Sequence, residues 1–336
     1  MNALISLVIV AALFAVGMYG PSVAPAWVFA VALPYAAAAV FVVGLATRVM
    51  KWAGVPVPFR IPTTCGQQKT LPWIRQQRLE NPSSKLHVFG RMVLEILFFR
   101  SLARNTRTEL RKDRGLVYGT DLSLWAGAMA MHWALAVVLL RHLRFFTEPV
   151  PAFVTATESL DGFLEVGLPV VNVTTVVLLC ALLYLLYRRL ALPWVRYVSL
   201  PEDYFALFLL LGIAGSGAWM RHLSHTDIAG VKELALSLVH FSPAVPEGIA
   251  PLFYGHLFLV CVLLVYFPLG KLVHAPGVFL SPTRNMANNN RAVRHVNPWD
   301  YPVKVHGYEE YEDDFREKMI AAGLPVDKGP SEDPEE

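Results

Sequence analysis

The sequence predicts an all-α membrane protein of about six transmembrane helices. Three observations predict it: an apolar composition, a series of apolar runs of spanning length, and four histidines recurring at matching heights in two of those runs. Of 336 residues, 55% are hydrophobic and 16% charged, and the mean hydropathy is +0.44. A water-soluble domain with this composition would carry more apolar surface than its core could hold. The net charge of +3 acquires meaning only when the basic residues are placed by loop, and nothing in it points to nucleic acid. Cys65, Cys180 and Cys261 lie far apart with no CxxC or CxxCH motif. Covalent haem attachment and an iron–sulfur ligand set within this chain are thereby excluded.

Apolar runs of roughly 17 to 25 residues cross the hydrocarbon core as helices. The first two are expected at about 3–20 and 26–47. The N-terminal run ends in small residues near Ala24 and Ala26, as a cleaved signal peptide would, but lacks a basic segment before its apolar core. It is therefore read as a spanning helix. Residues 51–117 form a loop with thirteen Lys or Arg against four Asp or Glu, which places it on the cytoplasmic side. Within it, KLHVFGRMVLEILFFRSLAR is interrupted by Arg91, Glu95 and Arg100. A bilayer-spanning helix would bury those charges at high cost, so an interfacial helix, or one packed under a partner subunit, is expected. Four more spans follow at about 121–140, 165–187, 203–219 and 253–273. Arg188, Arg189 and Arg196 follow the fourth span, and Lys271, Arg284, Arg291 and Arg294 the sixth. Both termini of this multi-pass protein are then expected on the cytoplasmic side of the inner membrane.

The expected organisation is two spans in 1–50, the basic loop in 51–117, a four-helix unit in 118–275 and a polar tail in 276–336. The tail, with NMANNNR, NPWDYPVK and YEEYEDDF, has no core of its own and reads as a strap on a cytoplasmic partner.

Histidine in a spanning helix is most often a packing or hydrogen-bonding residue, but four in register are another matter. His256 and His274 are 18 residues apart, five complete turns, and so share a face about 27 Å long. His132 and His142 are 10 residues apart, about 15 Å, within one broad face. The third span runs outward and the sixth inward. His142 therefore meets His256 near the outer surface, and His132 meets His274 deeper. Facing imidazoles from different helices suit a low-spin haem b, which takes a neutral nitrogen ligand on each side. Two such pairs would stack two haems b across the membrane. The spans of about 15 and 27 Å differ, and a kink at Pro268, with Pro276 beyond His274, is expected to absorb the difference. Arg141, Arg144 and Arg221 near the outer surface and Lys271 near the inner are candidate partners for haem propionates, or else ordinary interfacial anchors. His222 and His225 could hold a metal or take protons, or be solvated loop residues. Gly212, Gly215 and Gly217 permit close approach of a helix or of a porphyrin edge. A proton or metal transporter would need acidic partners at membrane depth and repeated broken helices, which the sequence lacks, and a membrane anchor without haem is the remaining alternative.

GIAPLFYGHLFLVCVLLVYFPLGKLVH, the pair His132 and His142, and VRYVSLPEDYFALFLLLG together resemble the cytochrome b (gamma) subunit of respiratory nitrate reductase, over about residues 120–280. That resemblance implies a di-haem b bundle in which His142 and His256 hold the outer haem, His132 and His274 the inner one, and quinol reacts near the outer haem. The family's quinone-site lysine has no counterpart downstream of His142, which leaves catalytic residues unassigned. Two helices and a basic loop precede the histidines here, and the tail RAVRHVNPWDYPVKVHGYEEYEDDFREKM follows them. These features resemble the DsrM-type cytochrome b of the membrane complex associated with dissimilatory sulfite reduction. The resemblance implies an electron-transfer subunit that oxidises menaquinol in sulfur or sulfite respiration. Its implied partners are a cytoplasmic iron–sulfur subunit of the heterodisulfide-reductase type and further cytochrome c, ferredoxin-like and quinone-interacting subunits.

Overall fold

The computed structural model describes residues 2–55, 66–104, 107–163, 165–166, 170–224, 226–289 and 305–329. The expected spans are present. Helix α1 covers Asn2–Val23, and a single π-helical turn, Val28–Ala32, leads into α2, Leu33–Ala53. After the amphipathic α3, Lys85–Phe98, a hairpin of β1 (Arg107–Arg111) and β2 (Gly115–Gly119) pairs Arg107 with Gly119 and Arg111 with Gly115. The third span is α4, Leu122–His142, extended by a 3-10 turn at Leu143–Phe145. A short helix α5, Ala152–Phe163, and a two-residue pairing of β3 (Glu165–Val166) with β4 (Val171–Asn172) precede α6, Val173–Ala191. Then come α7, Pro193–Tyr197, the span α8, Pro201–His222, and α9, Ile228–Val239. The last span is broken: α10, Pro251–Tyr266, is bent by 69° from the segment Lys271–Asn285, which holds a 3-10 turn, α11 (His274–Leu280) and α12 (Pro282–Asn285). In the tail, α13 covers Tyr308–Ala321.

Two features differ from the sequence reading, and a third adds detail that it did not hold. The fourth span starts at Val173 rather than near 165, because the apolar stretch before it turns back as β3 and β4. The connections between the expected spans, 143–163 and 220–252, contain the helices α5 and α9. The charges of α3 are satisfied inside the protein: Arg91 Nη1 donates to the Glu80 carbonyl at 2.8 Å, Arg100 pairs with Glu80, and Glu95 pairs with Arg284 at 3.2 Å. The exposed side of that helix is instead apolar, with Leu86, Phe89 and Phe98.

Successive spans run antiparallel. Helix α10 packs on α1, α2 and α8, α8 also packs on α1 and α6, and α4 packs on α6. In lipid no hydrophobic drive brings helices together, so close contact of small residues does. At the α1–α10 crossing, a Cβ on Gly17 would fall 2.5 Å from Phe258 Cβ and 3.0 Å from Gly255 Cα. The interior is correspondingly divided into small clusters, Val10–Leu209–Leu259, Ala134–Leu178–Leu182 and Ala30–Val31–Leu234–Tyr254. Most of the outer face remains apolar, as a lipid-facing surface requires.

In the tail, Glu312 accepts the backbone N–H groups of Asp327 and Lys328, each at 2.8 Å, tying the end of the described chain back onto α13. These bonds, with Asp327 first, hold its carboxyl below the ordinary value. A depressed folded-state pKa contributes stability above the ordinary glutamate value, and that stability is lost as the pH falls through the folded one. Amide protection at Asp327 and Lys328, normalised to random-coil exchange, is therefore expected to drop as the pH is taken well below the ordinary glutamate range. In Glu312→Gln it should be weak at every pH.

Candidate functional site

Asp121 caps α4 by accepting the Leu124 N–H at 3.0 Å and pairs with Arg188 of α6 at 2.7 Å. The Ser123 hydroxyl first, then the Leu124 N–H and Arg188, hold its carboxyl down at about 2 despite burial. This pin sets the height of α4 against α6, and with it the height of His132.

His132 and His274 face each other with ring centroids 6.1 Å apart and planes at 83°. Imidazole–metal bonds are about 2 Å, and with about 1 Å more from each nitrogen to its ring centre, imidazoles on opposite sides of one metal stand about 6 Å apart. The bend after Tyr266 produces this meeting, since it folds Lys271–His274 back toward mid-α4. Pro268 lies in that break, and Gly270 Cα faces Tyr266 so closely that a Cβ there would come within 2.7 Å of its ring. Phe99, at the C-terminus of α3, closes the other side of His132 edge-on at 4.9 Å. Trp125 and Trp133 on α4 donate to the Phe98 and Leu97 carbonyls at 2.8 and 3.0 Å, fixing α3 there.

His142 and His256 stand at the opposite end of the bundle, within electrostatic reach of one another. A Cβ on Gly217 would lie 3.2 Å from His256 Cε1, so glycine gives this imidazole its room; Gly212 serves helix packing against Leu259, and no atom lies within 4 Å of a Cβ built on Gly215.

The four imidazoles share one feature that spacing did not reveal. Nδ1 of His132, His142 and His274 lies 2.8, 2.7 and 2.9 Å from the carbonyls of Ala128, Val138 and Lys271. A carbonyl only accepts, so each Nδ1 carries the hydrogen and each Nε2 keeps its lone pair. His256 Nδ1 is 2.9 Å from Ser216 Oγ, whose own hydrogen is directed at the Gly212 carbonyl at 2.7 Å, so this Nδ1 is again the donor. No protein partner occupies Nε2 of these four among the described residues. An Nδ1–H held by a carbonyl or hydroxyl orients a histidine whose Nε2 binds metal. No cluster of three or more His, Cys, Asp or Glu suited to a bare ion occurs among the described residues. Two-histidine sites suit a metal whose other ligands come from a macrocycle, so the residues fit haem.

The candidate propionate partners are mostly engaged. Arg141 pairs with Asp161, Arg144 with Glu158 at 2.8 Å, and Lys271 with Asp203 at 2.9 Å and Glu202 at 3.0 Å. Arg221 has no ion pair among the described residues and lies within reach of Arg141 and Arg144. Asp161, which sequence reasoning missed, is 2% exposed and also accepts from Thr174 Oγ1 at 2.7 Å. His222 Nε2 lies 3.5 Å from Thr175 Oγ1, while His225 falls outside the described residues.

Residues 116–295 match the family model described as nitrate reductase gamma subunit. An Hdr-like menaquinol oxidoreductase cytochrome b-like subunit of Archaeoglobus fulgidus is 47% identical over 281 residues, covering 81% of this chain and 83% of the relative. A protein of the same description from Archaeoglobus profundus is 43% identical over 276 residues, covering 80% and 82%. Antiparallel apolar spans, the facing imidazoles of His132 and His274 and these matches converge: the chain belongs to the nitrate reductase gamma subunit family.

Proposed function

We propose that this chain is the cytochrome b subunit of a membrane menaquinol oxidoreductase. In this reading it takes electrons from menaquinol at the His142–His256 end and delivers them at the His132–His274 end to a cytoplasmic iron–sulfur subunit of the heterodisulfide-reductase type, in sulfur or sulfite respiration. The observation that carries it is the shared tautomer, which leaves four Nε2 lone pairs available in two groups. The names of the two Archaeoglobus relatives support menaquinol as the substrate. When bound, the two haems b supply one-electron redox chemistry at the two heights.

The protein's own part is positional. Helix carbonyls and Ser216 orient the imidazoles, the break after α10 brings His274 to His132, and Phe99 covers the inner pair. Charge moved across the whole membrane changes energy by about 2.3 kcal/mol per 100 mV, so the vertical separation of the pairs couples the reaction to the membrane potential. With both termini cytoplasmic, the inner pair, α3 and the acidic tail lie on the side where the iron–sulfur partner and the further complex subunits would dock. The test is a dithionite-reduced-minus-oxidised spectrum of the detergent-purified protein with a pyridine haemochrome count. Two b-type haems per chain are expected. A folded, colourless protein made with haem available would overturn the reading in favour of an anchor or transporter.

A further inference from the structure

Beside His274 the structure has a cavity of about 460 Å³, walled by α2, the start of α8 and the α10–α11 break. Arg48, Trp52, Lys271, Val273, His274 and Gly277 contribute to its lining. The charges in it are not equivalent. Lys271 is balanced by Asp203 and Glu202, and Glu202, which also lines the cavity, is taken up by Lys271. Arg48 has no carboxylate partner among the described residues; its guanidinium lies 6.0 Å from the Trp52 ring centroid, and its Nε is buried without an acceptor. Guanidinium stays charged at any accessible pH. A half-buried one on an apolar span, with a donor shielded from water, is unfavourable without an anion. The other arginines with an unsatisfied buried Nε, Arg141 and Arg188, are each neutralised by an aspartate.

Arg48 is also held firmly beside the inner pair. Helix α2 packs against the break: a Cβ on Gly44 would come within 2.8 Å of Pro268, and Phe41 meets Phe267 edge-on at 5.4 Å. One turn after Arg48, Trp52 lies against Gly277. The α1–α2 hairpin precedes the 116–295 region shared with the family, so nothing in that match assigns α2 a ligand.

We propose that this cavity is an anion site and that Arg48 binds a carboxylate of the haem held by His132 and His274, which makes the N-terminal hairpin part of the inner cofactor site. This rests on the haem reading above. A buried phosphate of an anionic lipid offers the same chemistry from another source, and the experiment separates the two.

The midpoint potentials and haem content of the purified full-length protein would be measured in Arg48→Gln and Arg48→Lys, with phospholipid phosphorus per chain determined on the same samples. The inner haem is identified as the one lost in His274→Ala. Removing a positive charge that neutralises a propionate favours the oxidised iron. Arg48→Gln is therefore expected to lower the potential of the inner haem, or to release that haem, with the outer haem unmoved, and Arg48→Lys should recover part of the shift. If Arg48→Gln loses the outer haem as well and so fails to assemble, Arg48→Met, an apolar chain of similar reach, carries the same expectation. Unchanged potentials and contents in whichever variant folds would overturn the proposal. So would loss of bound phospholipid with both haems unmoved, which assigns the cavity to lipid. A wild-type protein without haem would instead sink the functional reading itself.

Discussion

Replacing His132 with alanine is expected to reduce the haem content from two per chain to one and to leave the outer haem with its spectrum and potential intact. His132 sits on α4, which packs on α6, while its facing imidazole comes from beyond the break in the last span. Among the described residues, His132 is the one imidazole in ring contact with His274. His274→Ala should give the same one-haem product, because either loss leaves a single axial ligand. His142→Ala or His256→Ala should give the complementary product, with the inner haem retained. His87→Ala, altering a histidine of α3 with no assigned role, should keep both. Pyridine haemochrome counts on the detergent-purified variants check all of these, and two haems retained in His132→Ala would refute the inner pair.

The second large effect is expected at Asp161. This carboxylate is 2% exposed, pairs with Arg141 and accepts the Thr174 hydroxyl, while its backbone carbonyl accepts Asn172 Nδ2 at 3.2 Å. It thus ties α5 to the end of α4 and the start of α6. Removing one member of a buried ion pair leaves the other charge uncompensated and typically destabilises by about 3–5 kcal/mol. Asp161→Ala should lose stability on that scale, measured by thermal or denaturant unfolding in detergent, because Arg141 remains 13% exposed with its charge unmet. Asp161→Asn keeps an acceptor for Thr174 and should lose less. Arg141→Leu combined with Asp161→Leu removes both charges, and should be closer to wild type than either single change. Equal, small effects in all three would show that the pair is solvated in the working protein.

The sequence disclosed those parts of this molecule that depend on local composition. Spanning length is a property of a contiguous run, and so α1, α2, α4 and α8 emerge near their observed bounds. Histidine spacing is equally local, and it anticipated that His132 would meet His274 and that the last span would bend near Pro268. What stayed hidden depends on which segments become neighbours. Ser216 reads as one hydroxyl in a glycine-rich helix until α8 and α10 are placed side by side. Only then does it become the acceptor for His256. Asp161 lies in a connection that reads as loop. Its buried role needs Arg141 and Thr174, 20 and 13 residues away, to arrive at the same point. Helix α9 was legible in principle, since Asp227 caps it by accepting the Ala229 and Gly230 N–H groups. The charges of α3 read as too many for a lipid-crossing helix, and their partners are Glu80, just before the helix, and Arg284, which is distant in sequence.

The placement of α1 between α8 and α10 bears on how the chain is made. Helix α1 ends as the neighbour of spans that are made some two hundred residues after it. The early hairpin must wait in the bilayer with its Gly17 surface uncovered until α10 arrives to meet it. Completion of this packing therefore waits on α10, and a truncated chain beginning at the family region would lack the helix on which that span settles. For engineering, the practical unit is the whole membrane part and not its recognisable core.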